Sequence, residues 1–373
     1  MAVQKIRVGI VGAGKIAAMV HVPSFKLWPD ACEVRAVASR DPATAKAFAE
    51  TWAIPCVHPD WQTLIADPDL DAVVICPPSG LTATVAMEAI RAGKHILCEK
   101  PLALTWPAAE ALCKAAEARG IVHMVAFTFR FVPGLRYLQR LVGEGHFGEI
   151  RHWRLSHMTD LMLDPATTRV WRNDRRQAGA GVLADMGSHA IDLARYLVGD
   201  LTAVSGTGRL YVRERRQAGG TGPVDAEDAY SFTVEFVNGA IGSFDLNRAI
   251  AGRGGSGRAS YQSIEIHGSA GAALYDVWHP FEVQISLGPA MTRTQQWATA
   301  EVPFDLMKYP GSPRNARVDD PRVGYKFDQG IAFLRAIRGE TKDYPTFRDG
   351  AEAQRVVDAV ERSACERRWV ALT

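Results

Sequence analysis

No stretch of the chain approaches the roughly 20 consecutive apolar residues that a membrane span needs. Charge of neither sign dominates: 43 Lys and Arg stand against 41 Asp and Glu, a net charge of +2. That balance gives no electrostatic case for nucleic acid or an anionic membrane surface as a partner. Cysteine is sparse and scattered. Cys32, Cys56, Cys76, Cys98, Cys113 and Cys365 contain no CxxC pair, and most lie within apolar strand or helix patterns. Buried free thiols are therefore favoured over a zinc site or a disulfide framework. The opening MAVQKIRVGIVGAG has a short apolar run that breaks into glycines with no small-residue cleavage site, so it is not read as a signal peptide. A cytoplasmic protein is expected.

What is present is an ordinary globular composition, 47% hydrophobic and 23% charged, over 373 residues. That length exceeds what one hydrophobic core usually organises, so two domains are expected. Up to about residue 126, short apolar runs at 6–11, 33–38, 72–76, 95–98 and 122–126, with a weaker one at 55–57, alternate with helical segments. This pattern predicts a doubly wound parallel sheet. Asp41-Pro42 opens one helix, with Asp41 as cap, and Thr105 with Pro107 opens another that Gly120 ends. From 127 to 373 the texture changes. A helix at 133–142 leads into strands at 150–155, 204–211, 230–236, 240–246, 264–267 and 283–286, which predicts a large, open, predominantly antiparallel sheet in an α+β domain. Helices at 326–338 and 347–367 follow. The Gly- and Arg-rich stretches 213–222 and 251–260 read as mobile loops or hairpin tips, and 303–321 as an irregular segment that is either disordered or functional.

The first strand runs into Gly12-Ala13-Gly14-Lys15-Ile16-Ala17 and then a helix. Glycines let the backbone turn tightly and bring amides against a pyrophosphate, and the helix N-terminus adds partial positive charge. A GxGxxA after a strand and before a helix predicts a dinucleotide site built on Gly12, Gly14, Lys15 and Ile16. The second strand ends Ala38-Ser39-Arg40-Asp41. Ser39 and Arg40 stand where an acidic residue would select NAD, so NADP is expected to be preferred, with NAD the alternative.

At 92–103 the sequence reads AGKHILCEKPLA, and at 180–192 AGVLADMGSHAID. Both segments resemble signatures of the glucose–fructose oxidoreductase/inositol dehydrogenase (Gfo/Idh/MocA) family. The resemblance extends over essentially the whole chain, including Phe129-Arg130-Phe131 and Trp171-Arg172. Residues 129–196 are most similar to levoglucosan-dehydrogenase-like sugar dehydrogenases. The resemblance implies a Rossmann domain (1–126) followed by a substrate-binding and oligomerisation domain (127–373) with an open antiparallel sheet. It also implies NAD(P)-dependent oxidation or reduction of sugars and polyols, and a homodimer or homotetramer. It places Glu99 and Lys100 at the cofactor, Arg130 at the substrate, and Trp171 and Arg172 over the nicotinamide and substrate. The family's usual Asn and His after the fourth strand are Ser79 and Thr82 here. Only the backbone turn at Pro77 and Pro78 is therefore carried over.

Hydride transfer needs a group that handles the hydroxyl proton. Lys100 sits at a strand's carboxyl end, where open α/β sheets bind ligands, and can stabilise developing alkoxide charge. Asp185 and His189 are four residues apart and share a face if the segment is helical, with Asp192 near that face. His189 suits general acid–base work, and Asp185 would hold a substrate hydroxyl or tune its neighbours. Asp192 supports them or is a helix-surface acid. Two alternatives to a dehydrogenase stay open: a glycosidase using tightly bound NAD and transient oxidation, and a non-catalytic nucleotide-binding regulator. Asp185, His189 and Asp192 could also be read as metal ligands, but nothing else points to a cage, and no metal is expected.

Overall fold

Apolar runs covered on both faces build the first sheet. The computed structural model describes residues 5–252, 261–288, 296–316, 319–320 and 323–372. Strands β1 (Ile6–Val11), β2 (Cys32–Ala38), β3 (Cys56–His58), β4 (Ala72–Ile75), β5 (His95–Cys98) and β6 (His123–Val125) form it in the order β3-β2-β1-β4-β5-β6. All of its pairs are parallel. Every residue of β4 is buried, as expected where helices cover both faces. The connecting helices are α1 (Val22–Lys26), α2 (Pro42–Trp52), α3 (Trp61–Ala66), α4 (Ser79–Arg91) and α5 (Trp106–Arg119). The strand order reverses direction between β1 and β4, which opens a crevice at their carboxyl ends.

Two helix starts differ. Asp41 caps α2, its carboxylate accepting from the amides of Ala43 (3.3 Å) and Thr44 (3.1 Å). Thr105 precedes α5 but makes no side-chain cap hydrogen bond. Pro107 has already removed one of the amides such a cap would serve. Gly120 ends α5 at φ +70°, as expected.

The second sheet has nine strands: β7 (Ile150–Met158), β8 (Leu201–Arg209), β11 (Ala229–Phe236), β12 (Ile241–Asn247), β13 (Tyr261–Gly268), β14 (Gly271–Asp276), β15 (Glu282–Leu287), β16 (Ala298–Glu301) and β17 (Val370–Ala371). Their order is β16-β15-β14-β13-β7-β12-β11-β8-β17, antiparallel except where β7 lies parallel to β12. Alternate residues face inward, among them Trp153, Leu155, Phe232, Phe244, Ile264 and Ile266, all buried. The Phe232 and Phe244 rings stack 4.5 Å apart across β11 and β12. Around this sheet lie α6 (Pro133–Gly143), α7 (Arg175–Ala178) and α8 (Ser188–Leu197). The stretch expected as a loop at 213–222 is a hairpin of β9 (Glu214–Gln217) and β10 (Gly220–Pro223). Of the other stretch, 251–260, all but its first two residues lie outside the described residues.

By its contacts the chain divides into Met1–Phe131 with Lys308–Ala351, and Val132–Met307 with Glu352–Thr373. The expected single cut after residue 126 is thus joined by a return of the chain to the first unit. There α9 (Tyr325–Ile337) and the start of α10 (Phe347–Glu366) pack, and the Val125 amide donates to Pro345 O at 3.0 Å. The irregular segment is not loose within its described part. Asp328 of α9 accepts the Tyr309 amide at 3.0 Å and pairs with Arg314 Nη2 at 2.9 Å. All three residues are buried.

Candidate active site

The phosphate turn needs its glycines for two different reasons. Gly12 has φ +106°, and a Cβ there would lie 2.8 Å from Cys76 O. Nothing lies within 4 Å of a Cβ placed on Gly14. The amides of Ala13 and Gly14 have no acceptor among the described residues. Open space faced by free amides is the cradle a pyrophosphate needs. Lys15 and Ile16 are exposed, and the helix they begin passes through a π-helical turn, Ala17–His21, into α1.

At the end of β2, Ser39 is half-buried and Arg40 is exposed, in no hydrogen bond or ion pair with a described residue. Asp41 is committed to capping α2. After β4, Pro78 caps α4 with extended backbone, and Ser79 and Thr82 are buried. After β5, the Glu99 carboxylate accepts from the Lys100 amide at 3.3 Å and meets His21 Nε2 at 2.8 Å. Sequence pattern alone gives His21 no role. Its place at the inner end of the π turn depends on one extra helical residue, which no α-helical period reveals. Arg130 pairs with Asp349 Oδ1 at 2.8 Å, and the Phe129 and Tyr325 rings stack 6.3 Å apart.

In the second unit Gly181 (φ +54°) precedes the acid–base segment, and a Cβ there would lie 2.4 Å from Glu227 O. The segment is helical, but not uniformly α-helical. Leu183–Gly187 is a π-helical turn carrying Asp185, and His189 and Asp192 lie in α8. His189 is buried, and Asp192 is fully so, which removes the helix-surface reading of Asp192. Asp185 is 32% exposed and pairs with Arg172 Nε at 3.3 Å. The Arg172 guanidinium in turn lies 4.4 Å from the centre of the Trp171 ring. Trp171, Arg172 and Asp185 are thereby brought together. Lys100 belongs to the first unit, Asp185 and His189 to the second. Among the described residues no group of three or more His, Cys, Asp or Glu is placed to hold a metal ion, and no helix is long and apolar enough to cross a membrane. The six cysteines are free.

The Trp171–Arg172 segment is held from below by buried charge that the sequence reading did not find. Arg248 donates to Arg172 O (3.2 Å) and Ala226 O (2.8 Å) and to Asp228 Oδ1 (3.0 Å). Arg215 donates to Met162 O (2.5 Å) and Asp164 O (2.7 Å). Arginine forks bonded to carbonyls fix main chain over which no regular secondary structure runs. In the sequence these residues sit in a hairpin and at strand ends, with no spacing that links them.

Residues 6–127 match the Gfo/Idh/MocA oxidoreductase family, described as having an NAD-binding Rossmann fold, and residues 135–274 match that family's C-terminal domain. A levoglucosan dehydrogenase from Pseudarthrobacter phenanthrenivorans is 32% identical over 391 residues, covering 98% of each chain. An inositol 2-dehydrogenase from Rhizobium meliloti is 29% identical, covering 98% of this chain and 99% of its own. A solved levoglucosan dehydrogenase in complex with NADH and levoglucosan superimposes with a TM-score of 0.90 at 30% identity, over 99% of this chain and all of the other. With its Rossmann unit, its open mixed sheet and both signature segments in place, the chain belongs to the Gfo/Idh/MocA family of oxidoreductases.

Proposed function

We propose that the protein is an NAD(P)-dependent dehydrogenase or reductase acting on a secondary alcohol or ketone of a sugar, polyol or glycoside. The observation that carries the reading is the full-length likeness to a levoglucosan dehydrogenase solved with NADH and levoglucosan. It is supported by a chain that retains Gly12, Gly14, Lys100, Asp185 and His189. The bound nicotinamide supplies the hydride acceptor or donor. Gly12, Gly14, Lys15 and Ile16 cradle the pyrophosphate, Pro77 and Pro78 shape the turn at the nicotinamide ribose, and Glu99 and Lys100 flank it. In oxidation, Lys100 hydrogen-bonds the substrate hydroxyl and stabilises negative charge on its oxygen, and His189 takes the proton. In reduction His189 returns it. Asp185, oriented by Arg172, holds a neighbouring hydroxyl, Arg130 and Trp171 bound the substrate, and Asp192 supports His189. The protein works as a homodimer or homotetramer.

NADP is the proposed preference. Asp41 is occupied as a helix cap, and the exposed Arg40 is available to a 2′-phosphate. A screen at 340 nm of levoglucosan, inositols and other sugars and polyols with each cofactor tests the reading. Growth of reduced cofactor with substrate supports it. Turnover of a glycoside with no free reduced cofactor would instead mark a glycosidase.

A further inference from the structure

We propose that His21 is a positioning residue of the reaction, anchoring the Glu99 carboxylate and, through it, Lys100. The inference rests on Lys100 acting at the reacting oxygen. A π turn holds one residue more than an α turn, and here it leaves Ala17, Val20 and His21 all buried. A polar ring turned inward needs a partner. His21, 1% exposed, has one in Glu99, 14% exposed, at 2.8 Å. The second Glu99 oxygen accepts the Lys100 amide at 3.3 Å, while the Glu99 amide is fixed to Ile75 O at 2.8 Å.

The returning helix α9 packs against the π turn and β5 and adds a charge to their surroundings. Burial pushes the Lys326 ammonium below its usual range, and the charges of Glu99 and then Asp320 draw it partly back. The helices are locked at this point. Ser24 Oγ of α1 donates to Phe327 O at 2.5 Å, and a Cβ on Gly330 would lie 2.2 Å from Ser24 Oγ. Cys76 and Cys98 also face Glu99. Burial first and the Glu99 charge second push both thiols up, so neither competes for the role of ionised neighbour. Two elements of one unit thus converge on one carboxylate: the π turn and the end of β5. The anchored carboxylate holds the Lys100 main chain and a negative charge beside it in one place. A carboxylate free to swing would move the lysine and change its proton affinity.

The test reads Lys100 directly. Labelling of Lys100 by acetic anhydride across pH, followed by mass spectrometry, gives its titration midpoint without any turnover. His21→Leu should shift that midpoint by about half a unit or more and lower kcat by ~10–100-fold, with cofactor Kd nearly unchanged. His21→Gln, which can still donate to Glu99, should restore most of both. Glu99→Gln, at a less buried position, removes the charge while keeping the shape and should shift the midpoint in a fold that is not at risk. An unmoved Lys100 midpoint in folded His21→Leu and Glu99→Gln overturns the proposal. So does equal loss of kcat in His21→Leu and His21→Gln, which would mark His21 as structural. If the wild type turns over no sugar or polyol while the midpoint shifts as stated, the reading of the reaction fails and the anchoring stands.

Discussion

Asp228→Ala removes the anion on which the buried charges under the Trp171–Arg172 segment depend. Asp228 is 0% exposed and its partner Arg248 3%. The carboxylate takes Arg248 Nε at 3.0 Å and the amides of Tyr211 and Val212 at 3.0 and 3.2 Å. Leaving a buried charge without its partner costs about 3–5 kcal/mol. Each of these part-buried amides left without an acceptor adds at most about 1–3 kcal/mol. Coupled losses do not sum in full, so a net destabilisation of about 4–6 kcal/mol is expected. Asp228→Asn keeps an acceptor for the amides and should lose only about 3–4 kcal/mol. Asp228→Ala/Arg248→Met should be more stable than Asp228→Ala alone, because an apolar replacement of a buried pair leaves no stranded charge. Urea unfolding followed by tryptophan fluorescence measures all three. The loss should also reach the site, since Arg248 holds Arg172 O and Arg172 holds Asp185. KM for the sugar should therefore rise while cofactor Kd stays put. A loss in Asp228→Ala below about 1 kcal/mol, or a double mutant weaker than the single, would refute the reasoning.

Arg40→Ala should weaken NADP binding by ~1–3 kcal/mol and NAD binding far less. Equal loss for both cofactors in fluorescence titrations would count against a 2′-phosphate contact. Asp71 receives the Arg7 amide (2.8 Å), Nε (3.1 Å) and Nη2 (3.0 Å). Burial pushes the Asp71 carboxyl up, but the Arg7 hydrogen bonds and charge outweigh it and hold it below the usual range. Its contribution, about 1 kcal/mol after solvent screening, is present above the unfolded carboxylate pKa of about 3.9 and lost as pH falls through the depressed folded value. Asp71→Asn should accordingly lower the urea midpoint at pH 7, with the gap to wild type shrinking as pH falls below the unfolded value of about 3.9, and a gap unchanged by acid would contradict the pairing.

The parallel sheet was legible because its strands are buried on both faces. Four apolar residues in a row at 72–75 can hardly be anything else. The phosphate turn was legible for a similar reason, since Gly12 answers a local demand, a positive φ against Cys76 O. What stayed hidden depends on partners distant in sequence. The return of 308–351 to the first unit is written in α9 only as an amphipathic helix, with no sign of which surface it meets. The Asp228–Arg248 pair is twenty residues apart on elements whose register fixes the contact, and register is not a composition. His21 was missed because a helical period of 3.6 cannot anticipate a π turn. The same turn type at 183–187 is equally invisible in the four-residue spacing of Asp185 and His189.

The most direct test of the account is a double-mutant cycle on turnover with Lys100→Ala, His189→Ala and the pair, with cofactor Kd measured alongside. If both side chains act on one substrate hydroxyl, His189→Ala lowers kcat by ~10²–10⁴-fold with cofactor affinity nearly intact. Lys100→Ala should be at least as damaging, and the double mutant little worse than either single. Near wild-type turnover in a folded, cofactor-binding His189→Ala, or full additivity in the double mutant, would contradict it.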